Sequence, residues 1–184
     1  MQRIWLLITS TAAAIGIALA APVFAQNIDF PMRDSARPET TNGVPHVQIG
    51  IQPVAKLSEE ILRQVAEFPG VVLGATRVSL PGAVGFQLTS EVPIAQPQAI
   101  VGGREFAHLH PDGSLHASLH PEMARAAVEA GWAVAHPWAN QRAGWEGFVM
   151  IYTPLTEAEL DVVLQLVRGS YTYITGETLP KTSR

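Results

Sequence analysis

The chain opens with a long uncharged stretch, which indicates that its first 25 residues are not part of the folded protein. No charged residue follows Arg3 until residue 29, and Val23 and Ala25 place small side chains at the two positions that a signal peptidase reads. Pro22 and the Ala-rich stretch before it fit an excised segment better than a permanent membrane span. The sequence therefore predicts a signal peptide at 1–25 that is cleaved after Ala25, and an exported protein, periplasmic or secreted, with no stable membrane anchor after cleavage.

Composition then limits how the remaining chain can be stabilised and what it can bind. Removing 25 of the 184 residues leaves 159, enough for one domain with its own core. The chain has no cysteine, which excludes disulfides, thiolate metal sites and cysteine nucleophiles. The formal net charge of −4, which becomes −5 when Arg3 is removed, makes nucleic acid and anionic membranes poor partners. A small-molecule ligand is the expected partner.

Helix and strand patterns predict a single α+β domain. Closely spaced prolines indicate an extended lead-in at 26–55, followed by the folded domain at 56–176 and a tail at 177–184. Apolar residues at helical spacing follow Ser58, Pro121 and Thr156, and Ser58 and Thr156 are candidate caps. Strands are predicted at 71–78, 84–88, 96–101, 104–110, 114–118, 132–136 and 148–152. We expect a mainly antiparallel sheet covered on one face by helices.

Four of the six histidines lie between residues 108 and 120. His108 and His110 face the same side of a strand because side chains alternate along it. If Pro111–Asp112–Gly113 forms a three-residue loop, His116 lies directly opposite His108 and three imidazoles share one face. A two-residue loop would slip the register and split the cluster across the sheet. The position of the proline favours the three-residue loop.

Three kinds of site are compatible with such a cluster, and the residues alone leave the choice open. His108, His110 and His116 could hold one divalent transition metal, with His136 or a water as a further ligand. They could instead line an acid/base pocket for an organic ligand, or form a structural hydrogen-bond network in the hairpin. His120 is predicted to be a solvent-facing residue at the start of a helix, and His46 a loop histidine.

Charged and aromatic residues near the hairpin add candidates for substrate binding. Arg104 has the same strand parity as His108, so it is a candidate to hold an anionic oxygen, whereas Glu105 is expected on the opposite face. Trp132 and Trp138 follow the hairpin and suit a planar ligand. Trp132 and Trp138 are thus candidate substrate-binding residues, and Glu105, the neighbour of Arg104, is a third candidate.

Residues 104–175 resemble the luciferase-like domain family, typified by the fungal luciferase that oxidises a hydroxylated pyrone. The resemblance rests on Arg104-Glu105, His108-x-His110, Leu115-His116, Gly131-Trp132, His136-Pro137 and the final strand and helix ending near Ser170-Tyr171. The helix that ends in Pro69-Gly70-Val71 also resembles the small bacterial members of the family.

The resemblance implies an α+β fold and insertion of molecular oxygen, without a flavin, into a hydroxypyrone, with ring opening and loss of carbon dioxide. It points to His108, His110, His116 and His136 as catalytic residues, with Arg104 and Glu105 as neighbours, and gives His120 no counterpart. We expect an exported oxygenase for a small planar hydroxypyrone or phenolic compound, in which a histidine removes the hydroxyl proton. The alternative is a non-catalytic exported protein that binds a metal ion or an aromatic ligand.

Overall fold

A computed structural model describes residues 28–180 of the chain, so the predicted signal peptide and the last four residues of the predicted tail lie outside the described residues. The helices are α1 (Ala55–Ala66), α2 (Pro121–Glu129) and α3 (Glu157–Thr175), with a 3-10 helix at Pro97–Ala99. The strands are β1 (Val71–Ala75), β2 (Val84–Leu88), β3 (Glu105–Leu109), β4 (Leu115–Ser118), β5 (Ala133–Ala135) and β6 (Phe148–Ile151). Between residues 28 and 180, no helix has both the length and the apolar character needed to cross a membrane.

The six strands form one sheet in the order β1-β2-β3-β4-β6-β5, and every neighbouring pair is antiparallel. Helix α3 packs on the central strands β3 and β4, while α1 contacts β1 and α2 contacts β5. Leu109 and Leu115 face each other across the central hairpin and share an apolar core with Leu166 and Val167 of α3. The predicted α+β fold with an antiparallel sheet is confirmed.

Three local predictions are corrected or confirmed by the elements themselves. Helix α1 begins at Ala55 after Val54, so the predicted cap at Ser58 is wrong and that residue lies inside the helix. Residues 97–99 form a 3-10 helix instead of a strand, because Pro97 has no N–H to donate to a sheet and fits the first turn of a helix. Thr156 does cap α3, where its hydroxyl accepts the N–H of Glu159.

The lead-in lacks helices and strands over 28–54 and carries one isolated bridge between Thr40 and Gln48. The guanidinium of Arg33 lies 3.1 Å from the carboxylate of Glu159, and both side chains are buried. The Gln48 amide donates to the Thr153 hydroxyl at 2.6 Å and accepts the Thr153 N–H at 3.2 Å. These contacts anchor the lead-in to the domain at Arg33 and at Gln48.

Candidate functional site

The β3–β4 hairpin places three histidines on the sheet face opposite α3. His108 pairs with His116 across the hairpin, as the three-residue loop predicts. The N–H of His110 donates to the carbonyl of Ser114 at 2.8 Å, and Gly113 has a φ of +83°, which favours glycine because it lacks a Cβ. The predicted register and the shared face of the three imidazoles are therefore confirmed.

A β-bulge at the start of β3 changes which neighbouring residue reaches this face. Gln87 pairs with Glu105 and Phe86 pairs with Ala107, so Phe106 is an extra residue on β3. The extra residue reverses the side-chain alternation before it, and Glu105 comes to the histidine face with its Oε1 2.8 Å from Nδ1 of His108. The expectation that Glu105 faces away from the histidines, which assumed an uninterrupted strand, is overturned.

Arg104 and Trp132 bond elsewhere in the structure. The guanidinium of Arg104 donates to the carbonyls of Leu88 and Thr89 at 3.0 and 2.8 Å and also to that of Val92. The indole N–H of Trp132 donates to the carbonyl of Pro31 at 2.6 Å. Both side chains thus tie loops to the sheet, and the structure brings neither into the group of residues that line the histidine cavity.

Five histidines converge in one buried cluster, with His116 at its centre. Its Nδ1 lies 3.1 Å from Nε2 of His108, and its Nε2 lies 3.2 Å from Nδ1 of His46. The ring centroids of His110 and His136 are 4.5 and 4.6 Å from that of His116. All five residues are 2 to 5% exposed.

His46 is the member of the cluster that sequence reasoning missed. It lies in a loop, as predicted, but it is buried and contacts His116 and His136. No periodic pattern surrounds it, and its neighbours in the sequence are typical of an irregular segment. His120, in contrast, stays outside the cluster, where its Nδ1 accepts the N–H of Glu122 at the start of α2.

Burial favours the neutral form of four imidazoles in the cluster. Burial lowers the pKa of His110 to about 4 and that of His136 to about 3, with the neighbouring histidines adding to the effect. Burial also lowers the pKa of His46 and holds that of His116 well below its ordinary value. These rings are therefore uncharged at neutral pH, and each offers one unprotonated nitrogen.

Glu105 supplies the negative charge at the base of the cluster. Burial alone would raise the pKa of its carboxyl, but hydrogen bonds from His108 and Thr76 outweigh that effect and lower it. Gln87 and the N–H of Arg77 donate to its second oxygen at 2.7 and 3.2 Å. An ionised carboxylate accepts only, so in the neutral ring of His108 the proton is on Nδ1 and Nε2 is unprotonated.

Hydrogen-bond partners also distinguish His110 from His136. The Ser114 hydroxyl donates to Asp112 at 2.7 Å and so accepts from Nδ1 of His110 at 3.0 Å, which leaves Nε2 of His110 unprotonated. Within residues 28–180 this buried Nε2 has no hydrogen-bond partner. His136 has the opposite arrangement, because its Nδ1 accepts the N–H of Trp138 at 3.1 Å and its proton is therefore on Nε2.

The cluster opens on a cavity of about 170 Å³. Four histidines contribute to its wall, namely His46, His110, His116 and His136. Apolar side chains supply most of the remainder, including Val44, Pro45, Val78, Leu80, Trp138 and Phe148. Of the residues predicted to bind substrate, Trp138 thus lines the cavity, whereas Glu105 does not and bonds to His108 instead.

Fold and site together describe an α+β domain with a buried histidine cluster beside an apolar cavity. A family model described as "Luciferase domain" matches residues 103–170, which include four of the five clustered histidines. The chain is 30% identical over 174 residues to the luciferase of Armillaria mellea, in a match that covers 84% of this chain and 64% of that protein. Residues 103–170 thus form a luciferase-like domain, and the similarity to fungal luciferases extends over most of the chain.

Two further relatives are also fungal luciferases. That of Armillaria ostoyae is 29% identical over 169 residues, covering 81% of this chain and 62% of its own length. That of Neonothopanus nambi is 27% identical over 173 residues, covering 83% of this chain and 64% of its own length. The chain thus spans somewhat less than two thirds of these relatives. No solved structure matches the chain.

Proposed function

We propose that this protein is an exported oxygenase that adds molecular oxygen to a small planar ring compound carrying an acidic hydroxyl group, a hydroxypyrone or a phenol. The observation that carries the proposal is the buried cluster of neutral imidazoles open to an apolar cavity in a luciferase-like domain. The similarity to luciferases supports oxygenase chemistry, and the predicted signal peptide supports export.

The cavity supports a substrate with a single ring. Its volume of about 170 Å³ is well below the roughly 300 to 1,000 Å³ of pockets that hold drug-sized ligands. Flat side chains form part of its wall: the rings of His136 and Phe148 have centroids 4.3 Å apart, and those of His136 and Trp138 are 5.1 Å apart. A planar ring can pack on these faces while its polar edge meets the imidazoles.

The chemistry proposed for the cluster begins with proton transfer. A neutral imidazole with an unprotonated nitrogen accepts the proton of the ring hydroxyl, and the Nε2–H of His136 donates a hydrogen bond to the resulting oxyanion. The ring anion then supplies the electrons for a new carbon–oxygen bond to dioxygen, and the proton returns to the product. Substrate and oxygen thus add to give a hydroperoxide, with no external reductant, and ring opening follows from that product.

Oxygen uptake with a panel of hydroxypyrones and catechols tests the proposal. We expect uptake with at least one compound, and His136→Ala to lower the rate by about 100-fold because it removes a preorganised donor to the oxyanion. His120→Ala is the matched control, since His120 lies outside the cluster, and it should keep nearly the full rate. An absence of uptake with every compound, or a wild-type rate in His136→Ala, would contradict the proposal.

A non-catalytic binding protein is the second candidate function, favoured by the depth at which the histidines are buried. Calorimetry with the same compounds separates the two functions. Tight binding of a hydroxylated ring compound without any oxygen uptake would establish the binding protein and refute the oxygenase.

A further inference from the structure

We infer that His108, His110 and His116 form a binding site for one divalent transition-metal ion, an inference that deepens the proposed function by assigning the inner half of the cluster a separate role. One nitrogen from each of the three residues lies within 4.8 Å of the others. Their ring centroids are 4.5 to 5.1 Å apart. All three are held on the rigid β3–β4 hairpin, so little reorganisation would be needed to bring their nitrogens to one ion.

Each of these three rings has a hydrogen-bond partner on the nitrogen that faces away from the common point. Nδ1 of His108 meets the carboxylate of Glu105, Nδ1 of His110 meets the Ser114 hydroxyl, and Nε2 of His116 meets Nδ1 of His46. Metal-binding histidines in proteins almost always donate their second N–H to such an acceptor, which fixes the tautomer and the ring orientation. With the proton of the neutral His116 ring on Nε2, where Nδ1 of His46 can accept it, all three rings would donate outward and each would present an unprotonated nitrogen to the ion.

The unpartnered nitrogen of His110 points to the same conclusion independently. Its Nε2 is buried and has no hydrogen-bond partner among residues 28–180, although its Nδ1 is held by a chain through Ser114 to Asp112. Leaving a buried polar atom without a partner is unfavourable, so such atoms are uncommon in folded proteins, and a bound ion is one of the explanations for them. A metal ion bound by His108 and His116 would satisfy this nitrogen.

A second group of three histidines in the cluster, His46, His116 and His136, has comparable spacing but different protonation. Nδ1 of His136 accepts the N–H of Trp138, so the proton of the neutral ring is on Nε2 and that nitrogen has no lone pair for a metal. This difference assigns the ion to the group formed by His108, His110 and His116. His46 and His136 remain on the side of the cluster that lines the cavity.

Three imidazole nitrogens suit zinc, iron, copper or nickel better than the hard cations calcium and magnesium. A divalent ion held there supplies Lewis acidity that lowers the pKa of a bound hydroxyl group. His110 and His116 belong both to this site and to the cavity wall, so the hydroxyl of a cavity ligand would be next to the ion.

Cobalt titration of the purified, chelator-treated protein tests the site. We expect one Co²⁺ per chain, detected by the visible absorption of the coordinated ion and by elemental analysis, and displacement by Zn²⁺. His110→Gln should weaken binding by at least 100-fold, whereas His136→Gln should stay within about threefold of the wild type. Ser114→Ala keeps all three ligands and should weaken binding by about 10-fold, through loss of the outer-shell contact.

Binding that is absent or not stoichiometric in the wild type, or that is lost in His136→Gln and kept in His110→Gln, would overturn the inference. Circular dichroism and thermal unfolding of each variant show whether it is folded, and Ser114→Ala provides the test if the histidine variants are not. The readout does not depend on activity. A protein that binds one Co²⁺ but takes up no oxygen would support the metal site and refute the oxygenase. Full oxygen uptake without any metal binding would support the oxygenase and refute the metal site.

Discussion

In the neutral rings of His108, His110 and His136, a neighbouring group determines which nitrogen carries the proton, and this decides what each of these histidines can do. Glu105 fixes the proton of His108 on Nδ1, and the backbone N–H of Trp138 leaves that of His136 on Nε2. The sequence predicted these two histidines but could not predict their tautomers, since the partners come from a bulge and from a loop. Chemically different roles thus arise from one residue type.

The buried pair Arg33–Glu159 gives a prediction at the same scale. Glu159 also accepts hydrogen bonds from Ser35 and from the N–H of Leu155, and both bonds stabilise its negative charge. Arg33→Met should nevertheless cost about 3 kcal/mol of unfolding free energy, because it leaves a buried carboxylate without its cation. Urea unfolding measures this cost.

The double variant Arg33→Met/Glu159→Leu is the control for that experiment. It removes both charges together, so we expect it to recover part of the lost stability. A cost below about 1 kcal/mol for Arg33→Met alone would show that the ion pair does not fix the lead-in.

The site depends on two features of the central hairpin: the three-residue loop between β3 and β4, and the bulge at Phe106 in β3. The loop was predictable because Pro111 and Gly113 occupy positions that suit their backbone preferences. The bulge was not, because an extra residue in β3 becomes visible only against the pairing of β2. This is why the sequence could place the three hairpin histidines on one face but put Glu105 on the other.

Two glycines paired across β1 and β2 allow a matched test of the bulge. A Cβ on Gly85 would lie 2.7 Å from the Glu105 carboxylate and 2.7 Å from the Gln87 amide, whereas Gly74 has no atom within 4 Å of such a Cβ. Gly85→Ala should therefore displace Glu105, free the ring of His108 and weaken cobalt binding by about 10-fold.

Gly74→Ala should leave cobalt affinity unchanged, and its thermal unfolding should differ little from that of the wild type. Equal affinities in the two variants would show that Glu105 does not position His108.

At the scale of the whole molecule, the histidine cluster combines residues of the β3–β4 hairpin with His46 of the lead-in. His46 reaches His116 across 70 positions of sequence because Gln48, two residues later, is bonded to Thr153. The family match at 103–170 excludes His46, and its sequence context contains no pattern that predicts burial. Sequence reasoning therefore found the α+β fold and four members of the cluster, while the fifth depends on long-range packing.

Export is the prediction that belongs to the complete chain. When the full sequence is expressed in a bacterium that secretes proteins, we expect the recovered protein to begin at Gln26, because cleavage follows Ala25. Intact-mass analysis of cytoplasmic and exported fractions measures this. Recovery of only the uncleaved chain, in the cytoplasm, would refute export.

The central claim is that the histidine pocket of this luciferase-like domain adds molecular oxygen to a hydroxylated ring. The most direct measurement is mass spectrometry of the products formed under ¹⁸O₂ in unlabelled water, with a compound that supports oxygen uptake. We expect ¹⁸O in the organic product or in released carbon dioxide, and about 100-fold slower formation of the labelled products in His136→Ala. Products that carry no oxygen from ¹⁸O₂ would contradict the account.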